Sequence, residues 1–154
     1  MLALGLACLL PSCKPGGRAA GPAPKPATPD WKTLSLRTDN DANANSPVAL
    51  DIVFVRDAAL LDTLAAMAAS KWFAGRADLM RGFPAALTVR SFELMPGQSI
   101  EVQEGMWRSA AGWGVLAFAG YASPGEHRLR LALDARGYLI RLGAEDVGAI
   151  ELKH

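Results

Sequence analysis

The chain has 154 residues, of which 51% are hydrophobic and 20% charged, and its Lys+Arg 16 against Asp+Glu 15 leave a formal net charge of +1. That length supports a single core, the apolar content excludes a disordered chain, and the charge balance lacks the basic excess of a nucleic-acid binder. Six of the ten prolines fall between Pro11 and Pro29, which sets the first 30 residues apart from the folding unit.

Met1 to Leu10 is a run of apolar residues without a charge. As a helix it would span roughly 15 Å, half of a bilayer core of about 30 Å, so it fits the apolar region of a secretory signal and not a transmembrane span. Both cysteines lie here, Cys8 inside the run and Cys13 just after it, and none lies in the body of the chain. A structural disulfide is therefore not expected. Leu10-Pro11-Ser12-Cys13 resembles a bacterial lipobox, with a large apolar residue three before the cysteine and a small one directly before it; a plain secretory signal is the alternative. On the lipobox reading residues 1–12 are a lipoprotein signal peptide and Cys13 is the lipidation site. Residues 14 to 30 hold five prolines and three glycines and no large apolar residue, so 13–30 is read as lipidated cysteine plus tether. The folding unit is then 31–154.

Leu34 and Leu36 stand two apart in a short first strand from Trp31 to Thr38, followed by a polar loop, Asp39 to Ser46. Pro47 to Arg56 becomes apolar at every position in its second half, the pattern of a central strand covered on both faces. Asp57 caps a helix from Ala58 to Phe73 whose Leu60, Leu61, Leu64, Met67 and Trp72 recur at helical spacing. Gly75 and Gly82-Phe83-Pro84 are expected to interrupt any continuation, with Ala77 to Arg81 able to form one further turn. Thr88 to Leu94 and Ser99 to Glu104 flank a type II turn at Met95-Pro96-Gly97-Gln98 and suggest a hairpin. Trp113 to Tyr121 reads as a second central strand. Glu126 to Leu133 alternates, placing His127 on the wet side, and Gly137 suits a left-handed bulge leading into Tyr138 to Leu142. Val147 to Leu152 completes about seven strands, a mainly β two-sheet sandwich with an inserted helical segment.

The body is poor in catalytic chemistry. It has no thiol and only His127 and His154 as imidazoles, so neither a nucleophilic triad nor a thiolate zinc site is assembled. Asp39, Asp41 and Asn43 occupy the first, third and fifth positions of a calcium loop, but Ala44 and Leu50 stand where an EF-hand needs Gly and Glu. Glu101, Glu104 and Asp51 are the carboxylates left for a hydrolytic site, which would need two of them across one cleft. No cofactor is expected.

Asn45-Ser46-Pro47-Val48 running into Leu50-Asp51-Ile52-Val53-Phe54, then the helix, then Phe92-Glu93-Leu94-Met95-Pro96-Gly97-Gln98 and the apolar strand Gly114-Val115-Leu116-Ala117-Phe118 resemble, in that order, the outer-membrane lipoprotein of the bacterial type VI secretion system, the TssJ or SciN type. The chain departs from that pattern in its alanine-rich helix and in carrying His127-Arg128 where members often carry an aromatic-Arg pair. The resemblance implies a transthyretin-like sandwich tethered to the periplasmic face of the outer membrane. It further implies a non-enzymatic role, docking the periplasmic C-terminal part of the inner-membrane protein TssM through the loop between the first two strands, here with Asn40, Asp41, Asn43, Asn45 and Ser46. A periplasmic lipoprotein that binds or hydrolyses a cell-envelope ligand is the competing expectation.

Overall fold

A computed structural model describes residues 25–153. The expected signal peptide, the expected lipidation site at Cys13 and the expected tether up to residue 24 lie outside the described residues. Two four-stranded sheets pack face to face. One has the order β4-β1-β7-β8, with β1 Thr33–Thr38, β4 Ser99–Glu101, β7 Gly137–Leu142 and β8 Val147–Glu151. The other is β3-β2-β5-β6, with β2 Val48–Val55, β3 Leu87–Leu94, β5 Gly114–Gly120 and β6 Arg128–Leu131. Every pairing is antiparallel except β1 with β7, which run parallel from Thr33↔Gly137 to Thr38↔Leu142. The expected mainly β sandwich with a helical insertion is what the chain forms.

Alternation along β2 decides where the layers go. Val48, Leu50, Ile52 and Phe54 face the opposite sheet and join Leu34, Leu36, Ile140 and Leu142 in the central core. Val53 and Val55 face the other way and are covered, with Leu116 and Phe118 of β5, by the helices α1 Ala58–Ala65 and α2 Ala69–Gly82. Both central strands are thus buried on both faces, as their continuous apolar runs require. Trp31 closes one end of the core, 1% exposed, against Phe54, Trp107 and Tyr138, its indole N–H donating to the Ala132 carbonyl at 2.8 Å.

Three local expectations are corrected. The single helix ending at Phe73 is two helices. Asp57 caps α1 as expected, accepting from the Leu60 N–H at 2.7 Å. The chain then breaks at extended Ala68, where the Ala69 N–H donates to the Glu126 carbonyl and Arg128 to the Met67 carbonyl. Gly75 lies inside α2 without ending it, although a helical glycine costs about 1 kcal/mol, and nothing around it would obstruct a Cβ. The turn at Met95 to Gln98 exists, with Gly97 at φ +75°, but it does not close a hairpin. It carries the chain from β3 in one sheet to β4 in the other, because β4 pairs with β1. Likewise β6 and β7 belong to different sheets, so Gly137 is no hairpin bulge. A Cβ there would stand 2.4 Å from the Thr33 carbonyl oxygen, and close parallel pairing is what selects glycine.

The two ends of the strands form distinct poles. The N-terminal stretch joins at one: Ala27 bridges to Gly112, Asp30 donates its N–H to the Leu133 carbonyl, and Pro29 is buried. Contact with the domain therefore begins inside the proline-rich segment. The loops after β1, β5 and β7 gather at the opposite pole.

Candidate functional site

The loop Asp39 to Ser46 bridges the two sheets at this second pole, and local chemistry gives it a fixed shape. Asn43, Ala44 and Asn45 all have left-handed backbones, at φ 48°, 55° and 61°. Asparagine tolerates that region through local hydrogen bonds, whereas alanine is strained there by roughly 1–2 kcal/mol. The geometry persists because Asn43 is clamped. Its side chain is buried, its Nδ2 donates to the Pro47 carbonyl at 3.0 Å, its Oδ1 accepts the Ala122 N–H at 2.8 Å, and its own N–H donates to the Ala144 carbonyl.

Asp39 fixes the start of the loop through a two-pronged pair with Arg141 of β7, Nε to Oδ1 at 2.9 Å and Nη2 to Oδ2 at 2.7 Å. The hydrogen bond and charge of Arg141, with Arg37 nearby, hold the Asp39 carboxyl below its ordinary 3.8 against the opposing effect of desolvation. The same pair raises Arg141. Asn40 is exposed, with its side-chain oxygen against Gly97, where an added Cβ would come to 2.6 Å.

Two further loops complete the pole. The Tyr121 hydroxyl stands 3.0 Å from the Gly143 carbonyl and 2.9 Å from that of Asp146, tying the β5 exit to the β7–β8 turn. Burial, then the charges of Asp146 and Asp39, push its phenol well above the usual range. His127, expected on the wet side, is instead 7% exposed with φ 44°. Its ring lies on Tyr121, with Nδ1 3.1 Å from Asp146 Oδ1 and Nε2 2.9 Å from the Ser123 carbonyl. A one-residue departure from the strand, after the Ser123-Pro124-Gly125 turn, is what rotates it inward.

Of the residues singled out in the loop, Asn40, Asp41, Asn45 and Ser46 are exposed and Asn43 is the buried clamp beneath them. Asp41, Asn43 and Ala44 line a shallow cleft of about 200 Å³ with Ser123 and Glu145 across it. The calcium geometry is not assembled, since Asp39 is committed to Arg141, and no cluster of three or more His, Cys, Asp or Glu able to hold a metal occurs among the described residues. The three candidate carboxylates lie apart. Glu101 accepts from Ser35 on the outer face of its sheet, Glu104 pairs with Arg108, and Asp51 is buried under α2, bonded to Trp72 and Arg76. Arg141 and Tyr121 escaped sequence reading, and His127 was placed on the wrong side by it, because they matter only through contacts between loops far apart in the chain.

What this arrangement offers is a rigid polar surface made of loop tips, a geometry suited to recognition. Comparison with solved structures places the fold among lipoproteins of the type VI secretion system. The TssJ1 lipoprotein of Pseudomonas aeruginosa matches with a TM-score of 0.56 and 15% identity, over 79% of this chain and 95% of that one. Lip of Serratia marcescens, described as a membrane-bound component of the type VI secretion system, matches with 0.53 and 18%, over 77% and 96%. A chain of the structure described as the TssM C-terminal domain from EAEC matches with 0.57 and 18%, over 78% and 97%. No family model matches the sequence, and no curated protein does. At these identities the likeness establishes a shared fold.

Proposed function

We propose that the chain is a lipoprotein of the TssJ type, anchored to the periplasmic face of the outer membrane through acylated Cys13. On this reading its loop pole docks the periplasmic C-terminal part of a TssM-type inner-membrane protein, without catalysis, during assembly of the type VI secretion membrane complex. The observation that carries the proposal is the fold match, which spans almost the whole of each type VI lipoprotein compared. The two-pole architecture supports it. Chain from the lipobox side joins at one end of strands about 20–25 Å long, and Asn40, Asp41, Asn45 and Ser46 stand at the other, facing away from an anchored membrane with Asn43 bracing them.

Envelope fractionation combined with capture of the partner's periplasmic domain tests both halves. Cys13→Ser is expected to release the protein into the soluble periplasm while leaving capture intact. Asp41→Lys together with Asn40→Ala, at exposed positions outside the Asn43 clamp, is expected to weaken capture at least tenfold without lowering thermal stability. Capture at full strength by that double variant would exclude the loop as the contact.

A further inference from the structure

Four large apolar side chains are conspicuously exposed among the described residues: Met80 at 43%, Phe83 at 45%, Met95 and Ile150. Met80 and Phe83 stand three apart at the end of α2, followed by exposed Pro84 and Ala85. This end of the helix belongs to the pole where the N-terminal chain joins, as a ladder of hydrogen bonds shows. Phe83 O accepts from Ala86, Ala86 O accepts from Arg56, Val55 O accepts from Trp113, and neighbouring Gly112 bridges to Ala27. Three strand spacings of about 4.8 Å separate Ala27 from Ala86. Exposed Arg56, Arg81 and Lys25 lie at the same pole, with Arg81 paired to Asp78.

We propose that Met80 and Phe83 form a membrane-contact tip that inserts into the interface of the lipid surface to which the chain is tethered. The proposal rests on the anchoring reading above. Length supports a bilayer as the occupant: eleven residues lie between Cys13 and Lys25, so the pole stays within roughly 40 Å of the acyl chains even when that segment is fully extended. Size supports it too. Two side chains and a proline fall far short of the roughly 800 Å² per partner of a stable protein interface. A tethered contact needs no such area, since a short linker raises the effective concentration to about millimolar and a weak apolar insertion becomes intramolecular. The consequence is orientation. A domain held at both the tether and the α2 tip cannot roll, and its loop pole is kept pointing away from the bilayer.

The test places a nitroxide on Ala85→Cys, beside the tip, and separately on Glu145→Cys at the loop pole, in the full lipoprotein reconstituted into phosphatidylethanolamine–phosphatidylglycerol vesicles. Collision with oxygen, which partitions into lipid, and with a water-soluble nickel chelate is read by power saturation. The Ala85 label is expected to gain oxygen collisions and lose access to nickel relative to the Glu145 label. Met80→Asp or Phe83→Asp, each verified as folded by circular dichroism, is expected to abolish that difference. Intact mass reports acylation of Cys13 independently. An unacylated chain overturns the anchoring reading and the tip with it, whereas an acylated chain whose Ala85 label remains as accessible to nickel as Glu145 overturns the tip alone.

Discussion

Asp51 is the residue whose chemistry is most at odds with its surroundings. It lies on β2 with no exposure, facing the helices, where its Oδ2 accepts from the Trp72 indole at 2.8 Å and from Arg76 at 2.7 Å. Its Oδ1 has no partner among the described residues. A carboxylate held this way stabilises α2 against the sheet because removing it strands the buried Trp72 indole N–H, while the half-exposed Arg76 loses its partner but keeps water. Asp51→Ala is therefore expected to cost about 1–3 kcal/mol in urea unfolding; a loss within error of zero would mean that Trp72 stacking on Phe118 alone seats the helix. Asp39 is the opposite case, an ion pair near water whose contribution depends on pH. Its folded pKa lies below the unfolded value of 3.8, so the stability it contributes is present above 3.8 and is lost as pH falls through the lower folded value. Wild type is expected to exceed Asp39→Asn in melting temperature at neutral pH, and the gap is expected to close below pH 3.8. A gap unchanged by acid would show that the carboxylate's charge is irrelevant.

At the scale of elements, what was legible in the sequence is what depends on local pattern. The continuous apolar runs of β2 and β5 announced strands buried on both faces, and Asp57 announced a helix start. The turn at Met95 to Gln98 and the loop before Pro47 were equally visible. What escaped was decided by partners distant in sequence. A turn between two strands looks the same whether it closes a hairpin or crosses to another sheet, and only the pairing of β4 and β7 with β1 distinguishes them. The candidate site divides in the same way: its exposed Asn and Asp side chains were readable, while the clamp at Asn43 and the inward His127 required tertiary contacts. Two substitutions test these elements. Ala44→Gly relieves a left-handed alanine and is expected to stabilise the domain by about 1 kcal/mol; destabilisation would mean that the Ala44 methyl contributes contacts worth more than the strain. Gly137→Ala drives a Cβ into the Thr33 carbonyl and is expected to cost about 1–3 kcal/mol as the parallel β1–β7 pair separates.

At the scale of the whole molecule, the decisive feature is that β1 connects the two poles directly. Trp31 locks its start in the core, Asp39 and Arg141 clamp its end, and between them Thr33 to Thr38 pair with β7 along their full length and with β4 over Ser35 to Arg37. A pull applied between residue 25 and the β7–β8 turn drags β1 and its parallel partner β7 in opposite directions along their axes, so the ladder from Thr33↔Gly137 to Thr38↔Leu142 is loaded together in shear. A pull between residues 25 and 153 acts differently, because both lie at the N-terminal pole and β8 is an edge strand paired only with β7. There the Tyr138↔Glu151 pair opens first and the rest follow one at a time. Optical-tweezer extension is therefore expected to need a higher rupture force with handles at residues 25 and 144 than with handles at 25 and 153. Trp31→Ala, which removes the lock without touching a strand hydrogen bond, is expected to lower the first force and to cost about 3–5 kcal/mol at equilibrium. Equal forces in the two geometries would mean that the Trp31 end yields before the β1–β7 ladder is loaded, and a domain built that way would be a poor mechanical link in the role proposed for it.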